Sequence, residues 1–125
     1  MIWFVWRKPV PTGSHGAVRG QVLASCNGWH TGQNDDSGRS LVGDFNAQCR
    51  QTFRNLAKTL AEVGSTLSDI VTMTVFLIDA RYTTRMTEIR SEIFGHDFSG
   101  SAAITVTGFA QPDIMIEIQG VAVPT

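Results

Sequence analysis

Residues 44–79 read DFNAQCRQTFRNLAKTLAEVGSTLSDIVTMTVFLID, and this stretch decides the fold. Its first part carries apolar side chains at steps of three and four, which predicts an amphipathic helix whose apolar face holds Phe45, Cys49, Phe53, Leu56, Leu60 and Val63. Asp44 is a good N-cap, and Gly64 supplies a left-handed stop. The other face carries a charged stripe typical of a solvated helix surface, made of Arg50, Arg54 and Lys58.

The second part of the stretch, DIVTMTVFLID (69–79), is rich in β-branched residues. Val71, Met73, Val75 and Leu77 fall on one face of the strand and alternate in the sequence with Thr72 and Thr74. The second face is apolar as well, at Ile70, Phe76 and Ile78. This pattern predicts a central strand that is buried on both sides.

The flanking segments predict the remaining elements of the fold. A second amphipathic helix ends at Gly95 and has one apolar face, formed by Tyr82, Met86, Ile89 and Ile93. Two further strands, 101–110 and 113–123, are separated by a short turn and predict a hairpin. Upstream, residues 18–33 predict a strand interrupted at Asn27-Gly28, followed by a polar loop over 34–40. We expect an α+β fold, with both helices on one face of a single sheet.

Composition limits the partners of the protein. The chain has 125 residues with 42% hydrophobic content, which predicts one globular domain over residues 1–125. Its 10 Lys and Arg against 11 Asp and Glu give a formal net charge of -1. No excess of positive charge is present to neutralise a phosphate backbone, so nucleic acid is not expected as a partner.

The sequence also predicts the compartment. The first residues, MIWFVWRKPV, place their basic side chains after a six-residue apolar run, which is the reverse of a signal peptide and much shorter than the roughly 20 apolar residues of a membrane span. We do not expect Cys26 and Cys49 to pair, because Cys49 falls on the apolar helix face, where small buried thiols are common. A soluble protein of the reducing cytoplasm, without membrane contact, is expected.

The predicted sheet has one face more than its helices can cover. Two helices bury one face of a single sheet, whereas the strands carry apolar or uncharged side chains on both faces. Self-association is the economical way to bury the second face. Grooves between subunits then become natural places for a small-molecule site.

Three stretches together resemble the YjgF/RidA family, also called the reactive-intermediate deaminase or endoribonuclease L-PSP family. They are residues 47–79, MTEIRSEIFG (86–95) and ITVTGFAQPDIMIEIQGVAV (104–123), and they match in order over about two-thirds of the chain. HTGQ (30–33) is similar to the SGQ segment of the family's second strand. Upstream of this segment the match is poor.

The resemblance implies a chorismate-mutase-like fold assembled as a homotrimer, with small-molecule sites in the three clefts between subunits. It also implies hydrolysis of enamines and imines, such as 2-aminoacrylate, to a keto acid and ammonia without a metal or cofactor. In such family members an arginine just before the strand that here begins near Ala102 pairs with the substrate carboxylate. A glutamate in their last strand orients or activates water.

The arginine is missing from this chain. The family's Pro-Ala-Arg-Ser pattern aligns with Ser-Gly-Ser-Ala in FSGSAAITV (98–106), so Ser101 takes the arginine position as a substrate-binding residue. A serine hydroxyl offers one neutral hydrogen bond in place of a charged bidentate fork, a loss of roughly 10–100-fold in binding. No cation follows Arg90, so the charge has to come from a neighbouring subunit or from one of Arg19, Arg50 and Arg54. We therefore expect 2-aminoacrylate turnover to be weak or absent.

Three other residues complete the candidate site. Glu117, in IMIEIQ (114–119), matches the family glutamate and points away from the face of its isoleucine neighbours. It is either a general base toward water or a structural hydrogen-bond acceptor at the subunit interface. His15 falls near a pocket-lining tyrosine of the family, or is an ordinary surface histidine. Gln33, in HTGQ, is a further substrate-binding candidate.

The sequence leaves open whether the protein is an enzyme. The first hypothesis is an imine or enamine deaminase, and the alternative is a non-catalytic trimer that binds a small molecule in the same clefts. Ribonuclease activity, which the family name suggests, has little support without a basic stripe or an aromatic stacking platform. No metal is expected, because the two cysteines and three histidines lack metal-ligand spacing.

Overall fold

The structure is a computed structural model that describes residues 3–7, 24–95 and 100–123, with side chains from residue 30 onward. The helices in these ranges are α1 (Phe45–Glu62) and α2 (Thr83–Phe94). The strands are β1 (Trp3–Arg7), β2 (Ala24–His30), β3 (Ile70–Leu77), β4 (Gly100–Thr105) and β5 (Ile116–Ala122). Short 3₁₀ turns precede β3 and α2, at Leu67–Asp69 and Ala80–Tyr82.

The described strands form one sheet in the order β1-β2-β5-β3-β4. β3 and β4 are parallel, and the other neighbouring pairs are antiparallel. Parallel neighbours need a crossover connection, which α2 provides between β3 and β4. The predicted α+β class and the position of β3 inside the sheet are thereby confirmed.

The predicted hairpin between the last two strands is wrong. β4 and β5 lie on opposite sides of β3, so neither pairs with the other. The connection between them spans residues 106–115, which is long enough to pass the end of β3. The short turn suggested by Gln111-Pro112 is therefore only part of a longer crossing segment.

The predicted interruption of the upstream strand is also wrong. β2 runs through Asn27 and Gly28 without a break, because both residues keep their register with Val121 and Gly120 of β5. The polar loop that follows agrees with the prediction. It is closed by Asp35, whose carboxylate accepts hydrogen bonds from the backbone N–H of Ser37 and of Arg39 at 2.9 Å each.

The start of α1 and the ends of both helices lie where the sequence predicts, whereas Tyr82, predicted on the apolar face of the second helix, lies in the 3₁₀ turn before α2. The Asp44 side chain caps α1 by accepting a hydrogen bond from the backbone N–H of Ala47 at 3.0 Å. Gly64 and Gly95 follow the two helices with φ of 73° and 71°, a left-handed conformation that costs glycine little.

The core lies between the helices and one face of the sheet. It joins Cys49, Phe53, Leu56 and Leu60 of α1 and Met86 and Ile89 of α2 to the buried strand residues Met73, Val75, Leu77, Ile116 and Ile118. Ile93, predicted on the apolar face of α2, is 36% exposed, whereas Phe94 packs against the core and Arg90 is buried. Among the described residues, no helix has the length and apolar character needed to cross a membrane.

The segment directly after β2 packs on the backbone of α1, and this contact requires glycine. A Cβ at Gly32 would lie 2.6 Å from the Gln48 carbonyl oxygen and 2.7 Å from the Thr52 nitrogen. Asn55 of the same helix donates a hydrogen bond to the Thr31 carbonyl at 2.7 Å. The HTGQ segment is therefore held against α1, and this contact fixes the position of Gln33 at its end.

Candidate functional site

The face of the sheet that is turned away from the helices, called the open face below, consists of alternate residues of three strands. These are Thr72, Thr74 and Phe76 of β3, Ala102 and Ile104 of β4, and Glu117, Gln119 and Val121 of β5. The expected burial of β3 on both sides is not met within one chain, since Thr72 is exposed and Phe76 is half-buried. One apolar row of this face ends at Ile104, which is 45% exposed.

Glu117 is the acidic group of the open face. It pairs across the sheet with Phe76, which pairs on its other side with Ile104, so the carboxylate shares a row with two apolar side chains. Burial raises the pKa of Glu117 above its usual value, because removal from water disfavours the charged form. No hydrogen bond to its carboxylate comes from the part of the chain that the structure describes. This geometry suits a group that exchanges a proton with water or a ligand.

Ser101 faces the opposite way. Its register partner is Met73, which is 2% exposed and belongs to the core beneath the helices. The guanidinium Nη1 of Arg90, on α2, donates a hydrogen bond to the Ser101 hydroxyl oxygen. Arg90 is 8% exposed, and burial lowers the pKa of its guanidinium. Ser101 is an exposed residue of the edge strand, and its hydroxyl is bound to a buried cation on its helix-facing side.

Arg90 is therefore a cation that the sequence reasoning missed. The expectation that only Arg19, Arg50, Arg54 or a neighbouring subunit can serve Ser101 is wrong, because Arg90 reaches it within the chain. The signal was available in the helical spacing. Arg90 follows Met86 by four residues and Ile89 by one, which places it at the border of the apolar face of α2.

Ser101 and Glu117 do not meet within one chain. They lie on opposite faces of the sheet, and β3 separates the strands that carry them. The β4 residue on the same face as Glu117 is Ala102, which pairs with Thr74. At this position of β4, a ligand on the open face therefore contacts only the methyl group of Ala102.

Gln33 lies at a junction between two loops near the same end of the sheet as Glu117. Its amide nitrogen donates to the Asp113 carboxylate at 3.1 Å and also to the side-chain oxygen of Gln111. Its backbone oxygen accepts from Leu41 at 2.8 Å. The amide of Gln33 is thus occupied by the segment that leads into β5.

Gln48 of α1 holds this junction from below, a role that its place in a helical pattern did not reveal. Its side chain is fully buried, and its amide nitrogen donates to the backbone oxygens of Leu41 at 3.0 Å and Asp113 at 2.9 Å. Its side-chain oxygen accepts from the Met115 backbone at 3.0 Å. One buried amide therefore satisfies three polar backbone groups of two loops.

A groove of about 480 Å³ opens beside this junction. It is lined by Val42, Gly43, Ile78, Pro112, Asp113, Ile114 and Met115. Ile78 follows Phe76 by two residues, and Met115 precedes Glu117 by two, so the groove continues the alternation of the open face beyond the ends of β3 and β5. Its volume falls in the range typical of sites for small molecules. Glu117, Gln33 and this groove together form the candidate site.

The other predicted positions contribute less. His15 lies outside the described residues. Arg50 forms an ion pair with Glu92 of α2 at 2.8 Å, on the helical layer and away from the open face. Burial raises the pKa of the Cys49 thiol to about 12, so this cysteine is not a nucleophile at neutral pH. Among the described residues, no group of three or more His, Cys, Asp or Glu side chains could hold a metal ion.

Comparisons with known proteins agree on a single family. The family model described as Endoribonuclease L-PSP matches residues 13–124. A RutC family protein of Pyrococcus abyssi is 31% identical over 87 residues, which cover 70% of this chain and 68% of that protein. A RutC family protein of Pyrococcus horikoshii is 31% identical over 86 residues, covering 69% and 68%.

Solved structures share the fold at lower identity. The YjgF gene product of E. coli superposes with a TM-score of 0.70 at 24% identity, covering 81% of each chain. E. coli TdcF, solved with bound serine, gives a TM-score of 0.73 at 20% identity, again covering 81% of each chain. These similarities establish that the arrangement of helices and strands described above is the YjgF fold.

Proposed function

The chain belongs to the endoribonuclease L-PSP family, also known as YjgF/RidA, and on this premise we propose that it hydrolyses small reactive imines or enamines to a carbonyl compound and ammonia. The observation that carries the proposal is Glu117, a carboxylate on the open face whose pKa is raised by burial and which follows the groove residue Met115 by two positions in the chain. The serine bound to TdcF, a protein of the same fold, supports a ligand of about the size of a small amino acid.

The proposed reaction needs one water and a proton carrier. An enamine first tautomerises to the imine. Glu117 then accepts a proton from water while the water oxygen attacks the imine carbon, and the carbon–nitrogen double bond becomes single. Return of that proton to the nitrogen gives the neutral carbinolamine. The same carboxylate then carries the hydroxyl proton to the amine nitrogen, so that the carbon–nitrogen bond breaks, ammonia leaves and the carbonyl forms. A carboxyl group with a raised pKa suits both steps, because a pKa closer to neutral pH lets the group both accept and donate a proton.

We propose further that the protein acts weakly on substrates that carry a carboxylate, such as 2-aminoacrylate. On the open face β4 presents Ala102, and the cation that contacts this strand, Arg90, is bound to Ser101 on the helix-facing side. A carboxylate beside Glu117 therefore receives no bidentate guanidinium contact from β4, which favours uncharged imines.

A homotrimer, with the ligand in the cleft between subunits, is part of the proposal. Within one chain β4 is an edge strand whose six residues are all exposed, and the open face carries half-buried apolar side chains. A neighbouring copy would cover this surface and complete the groove around Glu117. We propose that the protein works in the cytoplasm, without nucleic acid or membrane partners.

The test compares release of ammonia and carbonyl product from freshly generated 2-aminoacrylate and from an imine without a carboxylate. Wild type, Glu117→Gln, Ser101→Arg and Ala102→Arg are assayed side by side. We expect wild type to turn over the uncharged imine and Glu117→Gln to lose that activity. Ala102→Arg should gain activity on 2-aminoacrylate, because its guanidinium would share the face of Glu117, whereas Ser101→Arg should gain less.

Two results would contradict the proposal. Efficient 2-aminoacrylate turnover by wild type would show that another group supplies the charge. Ligand binding without turnover of any imine, unchanged by Glu117→Gln, would identify a non-catalytic binding protein instead.

A further inference from the structure

A second cavity lies within the helical layer, on the side of the molecule away from the open face. Its volume is about 190 Å³, and it is lined by Arg50, Phe53, Arg54, Ala57, Leu67 and Ile93. The floor is apolar, with Phe53 of the core at its base and the partly exposed Ile93 at its side. Because the cavity sits on the layer opposite the open face, self-association through that face leaves it accessible.

The rim of this cavity carries two arginines with different surroundings. Arg50 is paired with Glu92 at 2.8 Å, and the ion pair lowers the pKa of Glu92. Lys58, the third cation of the same helix face, is paired with Asp36. Arg54 is exposed and forms no ion pair with any residue that the structure describes. The Asp36 carboxylate interacts with Arg54 at longer range, so Arg54 is the cation of the α1 stripe without a direct ion pair among the described residues, and it lies next to an apolar cavity.

We propose that this cavity binds a small organic anion with a compact apolar body, of the arylalkyl carboxylate class. The apolar body packs against Phe53, Leu67 and Ile93, and the carboxylate pairs with Arg54. Arg50 contributes less, because Glu92 already occupies its guanidinium. Charge complementarity selects an anion, since no acidic side chain lines the cavity among the described residues.

The size of the cavity narrows the ligand class. Sites for drug-sized molecules are typically about 300–1,000 Å³, so a cavity of about 190 Å³ accepts one ring or a short branched chain. A nucleotide is too large for it. This site is separate from the groove beside Glu117 and does not depend on the function proposed for that groove.

The test is an NMR titration of the whole protein with 3-phenylpropionate and with its uncharged analogue 3-phenylpropanol. The methyl signals of Ala57, Leu67 and Ile93 report binding in the cavity. The proteins are wild type, Arg54→Gln, Glu92→Gln and, as a matched control, Lys58→Gln, which removes a cation of the same stripe that does not line the cavity.

We expect 3-phenylpropionate to bind about fivefold more weakly to Arg54→Gln, the upper end for an exposed ion pair. Glu92→Gln should bind it about two- to threefold more tightly, because this substitution releases Arg50. Lys58→Gln should match wild type, and 3-phenylpropanol should bind all four proteins alike. No shift of the three reporter methyls at saturating ligand would overturn the inference, as would equal affinity of wild type and Arg54→Gln for the anion.

Discussion

The two faces of the sheet carry apolar side chains of the same kinds under opposite conditions. On the helix-facing side Val75, Ile116 and Ile118 are completely buried by α1 and α2. On the open face Ile104 is 45% exposed, and the carboxylate of Glu117 lies in the same row. One face therefore stabilises the single chain, and the other carries the association and the chemistry that we propose.

This difference follows the alternation of side chains along the strands. A β-strand sends successive side chains to opposite faces, so the residues of β3 are divided between the two environments one by one. The open face mixes Phe76, Ile104 and Val121 with two threonines, Gln119 and Glu117, whereas the face that the helices reach is almost wholly apolar in β3 and β5. The following predictions test this division, from the largest expected effect to the smallest.

Truncation on the helix-facing side should be the most destabilising change. Ile116→Ala removes packing from a fully buried position and should lower the free energy of unfolding by about 2–5 kcal/mol. The measurement is urea denaturation followed by circular dichroism. Ile104→Ala, the same substitution on the open face, is the control and should cost much less at protein concentrations where the chain is monomeric. Equal costs would refute the division between the faces.

A second contrast uses two glycines on the helix-facing side. Gly32→Ala should lower the free energy of unfolding by about 1–3 kcal/mol, because the new Cβ would lie 2.6 Å from the Gln48 carbonyl oxygen. Gly120→Ala should be tolerated, since the nearest atom to its Cβ is the Leu56 methyl at 3.9 Å. Thermal unfolding of the two variants distinguishes them, and a Gly32→Ala protein as stable as wild type would contradict the close contact with α1 of the segment that follows β2.

A charge on the open face should weaken self-association more than it destabilises the chain. Ile104→Lys places an ammonium group on the edge strand, where a neighbouring copy would have to bury it. We expect the dissociation constant of the assembly to rise on the order of tenfold or more, as for loss of a strong interface contact. Sedimentation velocity across a concentration series gives this constant. An unchanged sedimentation profile would place the interface elsewhere.

The smallest expected effect is a pH dependence from Glu117. Its pKa is raised by burial above the usual value of 4.5, so the folded protein holds this proton more tightly than the unfolded chain. The stabilisation that results is fully present below the unfolded pKa and is lost as pH rises through the folded pKa. Glu117→Gln should therefore gain stability relative to wild type between acidic and neutral pH. Urea denaturation at several pH values checks this, and the opposite slope would mean that the carboxylate is favourably paired.

The direction of one site residue was predictable from the sequence, but the positions of the site residues relative to one another were not. Glu117 points away from the isoleucines beside it, as the alternation in IMIEIQ predicts. The position of Ser101 on the other face follows from its register with Met73, which no local pattern records. The contact between Arg90 and Ser101 joins a helix to a strand, and depends on how α2 lies over the sheet.

The sequence by itself determined the elements of this protein. Helix periodicity and the caps at Asp44, Gly64 and Gly95 are local properties, because each depends on residues within one or two turns. The tertiary structure alone decided that β5 enters between β2 and β3, that β4 lies parallel to β3, and that Gln48 joins two loops. Strand pairing and such junctions bring together residues far apart in the chain, and their energies depend on which surfaces the packed helices leave open.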